Sequence, residues 1–163
     1  MPRSSAFGAA KARRSVGRRV QRGFDRDLFR DAIKAAGVSR SDLARLADIS
    51  PATIHSWERR GGTPDIERLA RIAGVLGVEV TAFVHVPDDE CLPSDLRNRR
   101  GLTQVQLAAA AGLSTTVVSG FERAETRWSV KKAEKLAPVL GVSVEQLHEA
   151  WQRSRTRPAG TPP

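Results

Sequence analysis

Cysteine occurs once, at Cys91, tyrosine not at all, and histidine three times in the 163 residues. A single cysteine excludes an internal disulfide and any multi-cysteine metal site. Three scattered histidines argue against a histidine-built metal centre. No apolar run approaches the roughly 20 residues that a membrane span needs. The N-terminus is basic but carries no apolar stretch behind its charges, so it does not read as a secretory signal. The expectation is a soluble protein of the cytoplasm. No cofactor, metal, small-molecule ligand or membrane partner is expected. The chain length admits one ordinary domain or two small ones.

Acidic residues are missing from both ends. Residues 1–24 contain Arg3, Lys11, Arg13, Arg14, Arg18, Arg19 and Arg22 and no acid, and residues 153–163 contain Arg153, Arg155 and Arg157 and no acid. Together these ends exceed the whole formal net charge of +9, so residues 25–152 are close to neutral. A basic arm without acids attracts polyanions. Its Gly, Ser and Ala content predicts disorder in the free chain, and the lack of a continuous apolar face favours nucleic acid over membrane. A merely solubilising tail is the plainer alternative.

The middle of the chain is a repeat. Residues 37–83 align without gaps on 101–147, an offset of 64 residues. Gly37, Leu43, Ala44, Ala47, Ser50, Glu58, Arg59, Leu76, Gly77 and Val80 recur as Gly101, Leu107, Ala108, Ala111, Ser114, Glu122, Arg123, Leu140, Gly141 and Val144. Two copies, each able to form a core, indicate tandem domains rather than a solenoid. The expected layout is an arm (1–24), a first domain (25–86), a second (87–152) and a disordered basic tail (153–163), with a linker at Val86–Cys91.

Each copy reads as short helices. In the first, Phe29, Ile33 and Ala36 keep helical spacing up to Gly37. Ser39 opens a helix with Leu43, Leu46 and Ala47, Ser50-Pro51 opens the next with Ile54 and Trp57, and Thr63-Pro64 opens a fourth. Val80 and Phe83 close the core. In the second copy Thr103 and Gln106 form a capping box, and Leu96, Leu107, Val118, Phe121, Val130, Leu136, Leu140, Val144 and Leu147 repeat the core pattern. Gly74 and Pro138, at one site late in the fourth helix, predict a bend or early stop. Few segments alternate with period two, so no sheet is expected. The fold class is all-α, two five-helix units. Short helices flanking Asp48-Ile49-Ser50 and Gly112-Leu113-Ser114 have helix-turn-helix spacing.

The residues Gly101-Leu102-Thr103-Gln104-Val105-Gln106-Leu107-Ala108, Gly112-Leu113-Ser114, Phe121-Glu122-Arg123 and Leu140-Gly141-Val142-Ser143 resemble the lambda repressor/Cro-like (XRE-type) helix-turn-helix family. Gly37 through Val80 resembles it more loosely. The resemblance covers about 26 to 151 and implies sequence-specific binding of double-stranded DNA by a transcriptional regulator, a repressor of phage, plasmid or bacterial type. It implies a phosphate contact for Gln104, and Arg40 stands at the same site in the first copy. It maps base-reading positions onto Pro51, Ala52, His55 and Ser56, and onto Thr115, Thr116, Ser119 and Gly120. It also implies a buried pair, met by Arg97 and Glu122. In the first copy Ile33 replaces the arginine, so Glu58 needs another donor, such as Arg30 or Lys34, or stays partly exposed.

The groove-facing side chains are short. No Arg, Asn or Gln stands in the first turn of either recognition helix, so strong bidentate base contacts are missing there. Arg59, Arg60, Arg123 and Arg127, at or past the helix ends, suit phosphates. Modest reading by one domain would be compensated by linkage of two, which suits a two-part site, and by the arm. Trp128 stands where the family has a Gly/Pro loop, as packing or as contact residue. Dimerisation through Val144, Leu147 and Trp151 competes with Trp151 capping its own domain. The alternative function is a protein-interaction module, or an antitoxin-like regulator in which only the second domain binds DNA. An enzyme is not expected, because the neighbouring Ser56, His55 and Asp48 are incidental on short helices.

Overall fold

The structure, a computed structural model, describes residues 22–59 and 62–161. The first unit contains α1 (Arg26–Ala36), α2 (Arg40–Leu46), α3 (Pro51–Glu58) and α4 (Ile66–Leu76), closed by a 3-10 turn at Val80–Ala82. The second contains α5 (Pro93–Arg99), α6 (Gln104–Ala111), α7 (Thr115–Glu122), α8 (Val130–Leu140) and α9 (Val144–Thr156). A second 3-10 turn, Asp88–Glu90, lies between them. No strand forms among the described residues; one isolated bridge joins Phe24 to Val84.

Local chemistry sets most of the boundaries. Ser39, Ser50, Thr103, Ser114 and Ser143 each accept a hydrogen bond from the backbone N–H three residues on, which satisfies a donor the helix leaves orphaned. Gly37, Gly77, Gly112 and Gly141 end α1, α4, α6 and α8 in the left-handed conformation. The turn between α2 and α3 reaches the same geometry without glycine: Asp48 has φ 52°, at the position where the second copy has Gly112 at φ 61°. Arg71 holds that aspartate from α4, donating from one amino group to the Asp48 carbonyl at 3.3 Å with the carboxylate 3.5 Å away.

Each unit has its own core. Phe29, Ile33, Leu43, Ile54, Trp57, Leu69, Ile72 and Phe83 are buried in the first; Leu107, Val118, Phe121, Leu136, Leu147 and Trp151 in the second. Burying each such side chain contributes about 1.5–3 kcal/mol before chain entropy is counted. The sequence pattern misplaced a few positions: Leu46 and Val130 are each 54% exposed, and Ala36 also faces solvent. The fourth helix of the first copy is capped by Asp65, with Thr63-Pro64 ahead of it. Neither Gly74 nor Pro138 stops its helix. Both are exposed, and the buried residues around them, Ile72, Ala73 and Leu76 or Leu136, Ala137 and Leu140, carry each helix on to its glycine.

The expected linker and tail are built into the fold. Val86 and Cys91 belong to the second core, and Cys91 is 1% exposed. Burial pushes its thiol above the usual cysteine range. Arg153 donates to the carbonyls of Cys91 at 2.8 Å and Asp88 at 3.2 Å, and Arg99 holds the Asp88 carboxylate at 2.6 Å. The disordered tail expected from residue 153 is corrected: α9 runs to Thr156 because Leu147, Ala150, Trp151 and Ser154 form one buried stripe at helical spacing. Trp151 therefore packs in its own unit, against Trp128 with ring centres 5.7 Å apart. Leu147 is fully buried beside it, and Val144 packs partly buried against the same core.

The root of the arm is likewise ordered. Phe24 packs on Phe29 with ring centres 5.4 Å apart, and the Asp25 N–H donates to the Phe83 carbonyl. Arg22 reaches the second unit, donating to Asp95 at 2.8 Å and Glu90 at 3.1 Å. Asp95 is buried, and that burial raises its carboxyl above the usual range, with the Leu92 N–H and Arg22 opposing the rise. The units also touch at Gly101, where an added Cβ would lie 3.2 Å from the Ala70 methyl.

Candidate nucleic-acid interface

Helices α3 and α7 are each anchored on one side and open on the other. Ile54 and Trp57 bury α3, and Val118 and Phe121 bury α7. The opposite faces carry Pro51, Ala52 and His55 in α3, and Thr115 and Thr116 in α7, all exposed. These short side chains can make single hydrogen bonds or apolar contacts at base edges, not bidentate ones. Ser56 is half-buried, and an added Cβ at Gly62 would lie 2.3 Å from its hydroxyl oxygen, so the loop after α3 presses on it. Ser119 is also half-buried and accepts a bond from Arg123 at 2.7 Å. Gly120 is corrected outright: it is buried, facing Thr126, because the chain folds back over that side of α7.

A buried glutamate at the end of each of these helices organises its unit. Glu122 is 1% exposed. Arg97 Nε donates to its Oε1 at 2.6 Å, and Gln104 Nε2 donates to its Oε2 at 2.7 Å. Arg97 also donates to the Leu102 carbonyl at 2.7 Å, which ties α5, α6 and α7 together. Glu58 sits in the matching slot, 8% exposed, opposite Ile33 rather than an arginine. Its donor is neither Arg30 nor Lys34 but Arg40, whose Nε lies 2.9 Å from both carboxylate oxygens and whose terminal nitrogen lies 2.6 Å from Oε1. Arg40 occupies the position of Gln104, so one side chain does the work that two share in the second unit. Spacing does not reveal this pair, because Arg40 and Glu58 lie 18 residues apart on different helices and meet only through packing.

The remaining basic positions divide. Arg123 forms a fork with Glu125, at 2.6 and 2.8 Å. That guanidinium holds the exposed Glu125 carboxyl below the usual carboxylate range. Arg59 and Arg127 are exposed. Arg60 and the arm residues Arg13, Arg14, Arg18 and Arg19 lie outside the described residues, and Arg22 is engaged by Asp95 and Glu90.

The loop after each recognition helix is held from a different end of its unit. In the first, Arg26 at the start of α1 donates to the carbonyls of Arg59 at 3.1 Å and Gly62 at 3.2 Å. In the second, the extension of α9 does this: Ser154 donates to the Glu122 carbonyl at 2.7 Å and Arg155 to the Ala124 carbonyl at 2.9 Å. Ala124 has φ 53°, a left-handed conformation that disfavours a side chain, so these bonds secure a turn made without glycine. Trp128 covers the same loop, tilted against Phe121 and against His148, whose ring centre lies 4.5 Å away.

Two helix pairs, each crossing at a tight turn and each presenting the outer face of its second helix, define a tandem helix-turn-helix protein. Comparison with known proteins agrees with that class. The helix-turn-helix family matches residues 29–83 and again residues 94–147. The chain belongs to this family, in its lambda repressor-like (XRE) branch, with two copies in tandem. A protein described as a hypothetical transcription factor from Neisseria meningitidis serogroup B is 32% identical over 80 residues, covering 45% of this chain and 76% of that one. No helix among the described residues is long and apolar enough to cross a membrane.

Proposed function

We propose that the protein is a DNA-binding regulator of transcription, a repressor that reads a two-part duplex site with α7 and α3. The observation that carries this reading is the exposed first turn of both helices, Thr115 and Thr116 in one and Pro51 and Ala52 in the other, on helices otherwise rooted in their own cores. The second helix of such a pair lies in the major groove and presents its N-terminal residues to the bases. The basic arm adds phosphate or minor-groove contacts. Arg59 and Arg127 suit phosphates, while Gln104, bonded to Glu122, has its amide placed by that bond. One reader alone is weakly selective, and linkage of two compensates by making the second binding event intramolecular.

Selection of bound duplexes from a random pool tests this. The expected product is an asymmetric motif whose two halves are lost separately, one with Thr115→Ala/Thr116→Ala and one with Ala52→Glu. A pool with no enriched motif overturns it. Removing residues 1–21 should weaken binding and flatten its salt dependence.

One observation favours a narrower reading, in which only the second unit reads DNA and the first serves another contact. Arg40, the first unit's counterpart of Gln104, is committed to Glu58 by three short contacts. A symmetric loss of motif on mutating only α7 would favour that reading.

A further inference from the structure

The three arginines near the end of the chain do not form one undifferentiated basic tail. Arg153 is turned back to the linker, on the carbonyls of Cys91 and Asp88. Arg155 and Arg157 lie on the other side, beside the exit of α7. Arg155 holds the Ala124 carbonyl, and Arg157 donates to the Ser154 hydroxyl at 2.9 Å and the Ser154 carbonyl at 3.1 Å. With Arg123 they line an open depression of about 290 Å³ whose single acid is Glu125. This segment lies past residue 147, where the family match ends.

We infer that Arg155 and Arg157 form a phosphate-binding ridge that grips the DNA backbone next to the site read by α7. The inference rests on the DNA-binding reading above and adds a contact surface to it. Three physical features carry it. The ridge is fixed in place, since buried Ser154 donates to the Glu122 carbonyl at the end of α7 and Arg155 to the Ala124 carbonyl just beyond it. Its charge is unbalanced: three guanidinium groups face one carboxylate. Each arginine also keeps N–H donors beyond those used on the backbone. Arg155 uses one terminal nitrogen, and Arg157 uses Nε on the Thr161 carbonyl and one terminal nitrogen on Ser154. A guanidinium positioned by carbonyls at one edge can present its other edge to a phosphate oxygen.

The test is the salt dependence of binding to a labelled mixed-sequence duplex, followed by anisotropy with the full chain. Arg155→Gln/Arg157→Gln keeps amide donors but removes two charges. The expected result is binding weakened roughly tenfold on every sequence, with the slope of log K against log salt reduced by about 1.8, the value for two lost phosphate contacts. Arg155→Lys/Arg157→Lys should restore most of the slope. Arg153→Gln, two and four residues before them and turned to the linker, should leave the slope unchanged. Circular dichroism melts identify any unfolded variant, and in that event the single variants Arg155→Gln and Arg157→Gln decide: each should lower the slope by about 0.9, and a wild-type slope in both overturns the ridge. An unchanged slope in the glutamine pair, with wild-type binding intact, overturns the ridge and leaves the proposed function standing. A slope change that tracks dissociation of a dimer in sedimentation also overturns it. If the wild-type chain binds no duplex, both fall together.

Discussion

The two copies place a carboxylate in the same buried slot and neutralise it in different ways. In the second unit Glu122 is met by a buried arginine from α5 and a glutamine from α6. In the first, Ile33 fills the arginine's place with hydrocarbon, and the more exposed Arg40 supplies all the charge from α2. A buried carboxylate demands a partner, whichever element can deliver one. The lesson is that electrostatic necessity is retained while the residue that meets it moves, and the move has a functional consequence. It engages the Arg40 guanidinium at the start of α2, and under the proposed DNA-binding reading that cation is less available to a phosphate.

The largest expected effect separates the two slots. Arg97→Ala takes the arginine away from a core carboxylate that keeps its Gln104 bond, and should cost about 3–5 kcal/mol. Arg40→Ala should cost about 1–2 kcal/mol, because Arg40 is solvent-screened and water can reach the vacated side. Urea titrations of both variants measure the difference; equal losses would break the comparison. Adding Ile33→Arg to Arg40→Gln should recover much of the loss in the first unit, since it rebuilds the second unit's arrangement. Failure to recover would show that the first core no longer has room for a buried guanidinium.

The turns offer a smaller contrast. Gly112→Ala should destabilise by about 1–2 kcal/mol, as a left-handed position accepts a Cβ poorly. Asp48→Gly should change stability by less than about 1 kcal/mol, because relief of the backbone is offset by loss of the Arg71 contact and by added freedom in the unfolded chain. Thermal melts of the pair test the assignment. Cys91 distinguishes linker from core: its thiol should react roughly tenfold or more slowly with a maleimide in the folded chain than in denaturant, because burial both blocks access and disfavours the thiolate. Rapid reaction in native buffer would place it in a free connector.

The smallest effect concerns the fork between Arg123 and Glu125. Glu125→Gln should tighten DNA binding severalfold at low salt by releasing Arg123 and removing a negative charge from the interface. The sign of the pH effect follows from the lowered carboxyl. The contact stabilises the fold above the ordinary glutamate range and is lost as the pH falls through the folded value, so acidification should mimic the substitution. A variant that binds no more tightly would show that Arg123 does not face the backbone.

Much of the fold was legible in the residues. Gly77 and Gly141, the Ser and Thr caps and the repeated apolar spacing place nearly every helix, since capping and periodicity are local properties. Trp57 and Phe121 could be put inside for the same reason. The errors lie where local pattern is ambiguous. Leu46 and Val130 have core-like identity but fall on outer faces, which spacing in such short helices does not resolve. The basic tail looked like a polar end because the stripe of Ala150, Trp151 and Ser154 alternates with arginines. In the site, Thr115 and Thr116 could be placed by position, whereas buried Gly120 and the engaged Arg40 depend on neighbours distant in the chain.

The order of residues alone thus determined the tandem repeat, the helical class and the need for a partner to each buried glutamate, because these follow from periodicity, capping and the cost of desolvating charge. Only the tertiary structure decided which cation answers Glu58, that Cys91 joins a core and that Arg155 and Arg157 stand beside α7 while Arg153 faces the linker. Those outcomes turn on which side chains meet across space, and side-chain reach over many residues of separation is settled by packing rather than by spacing.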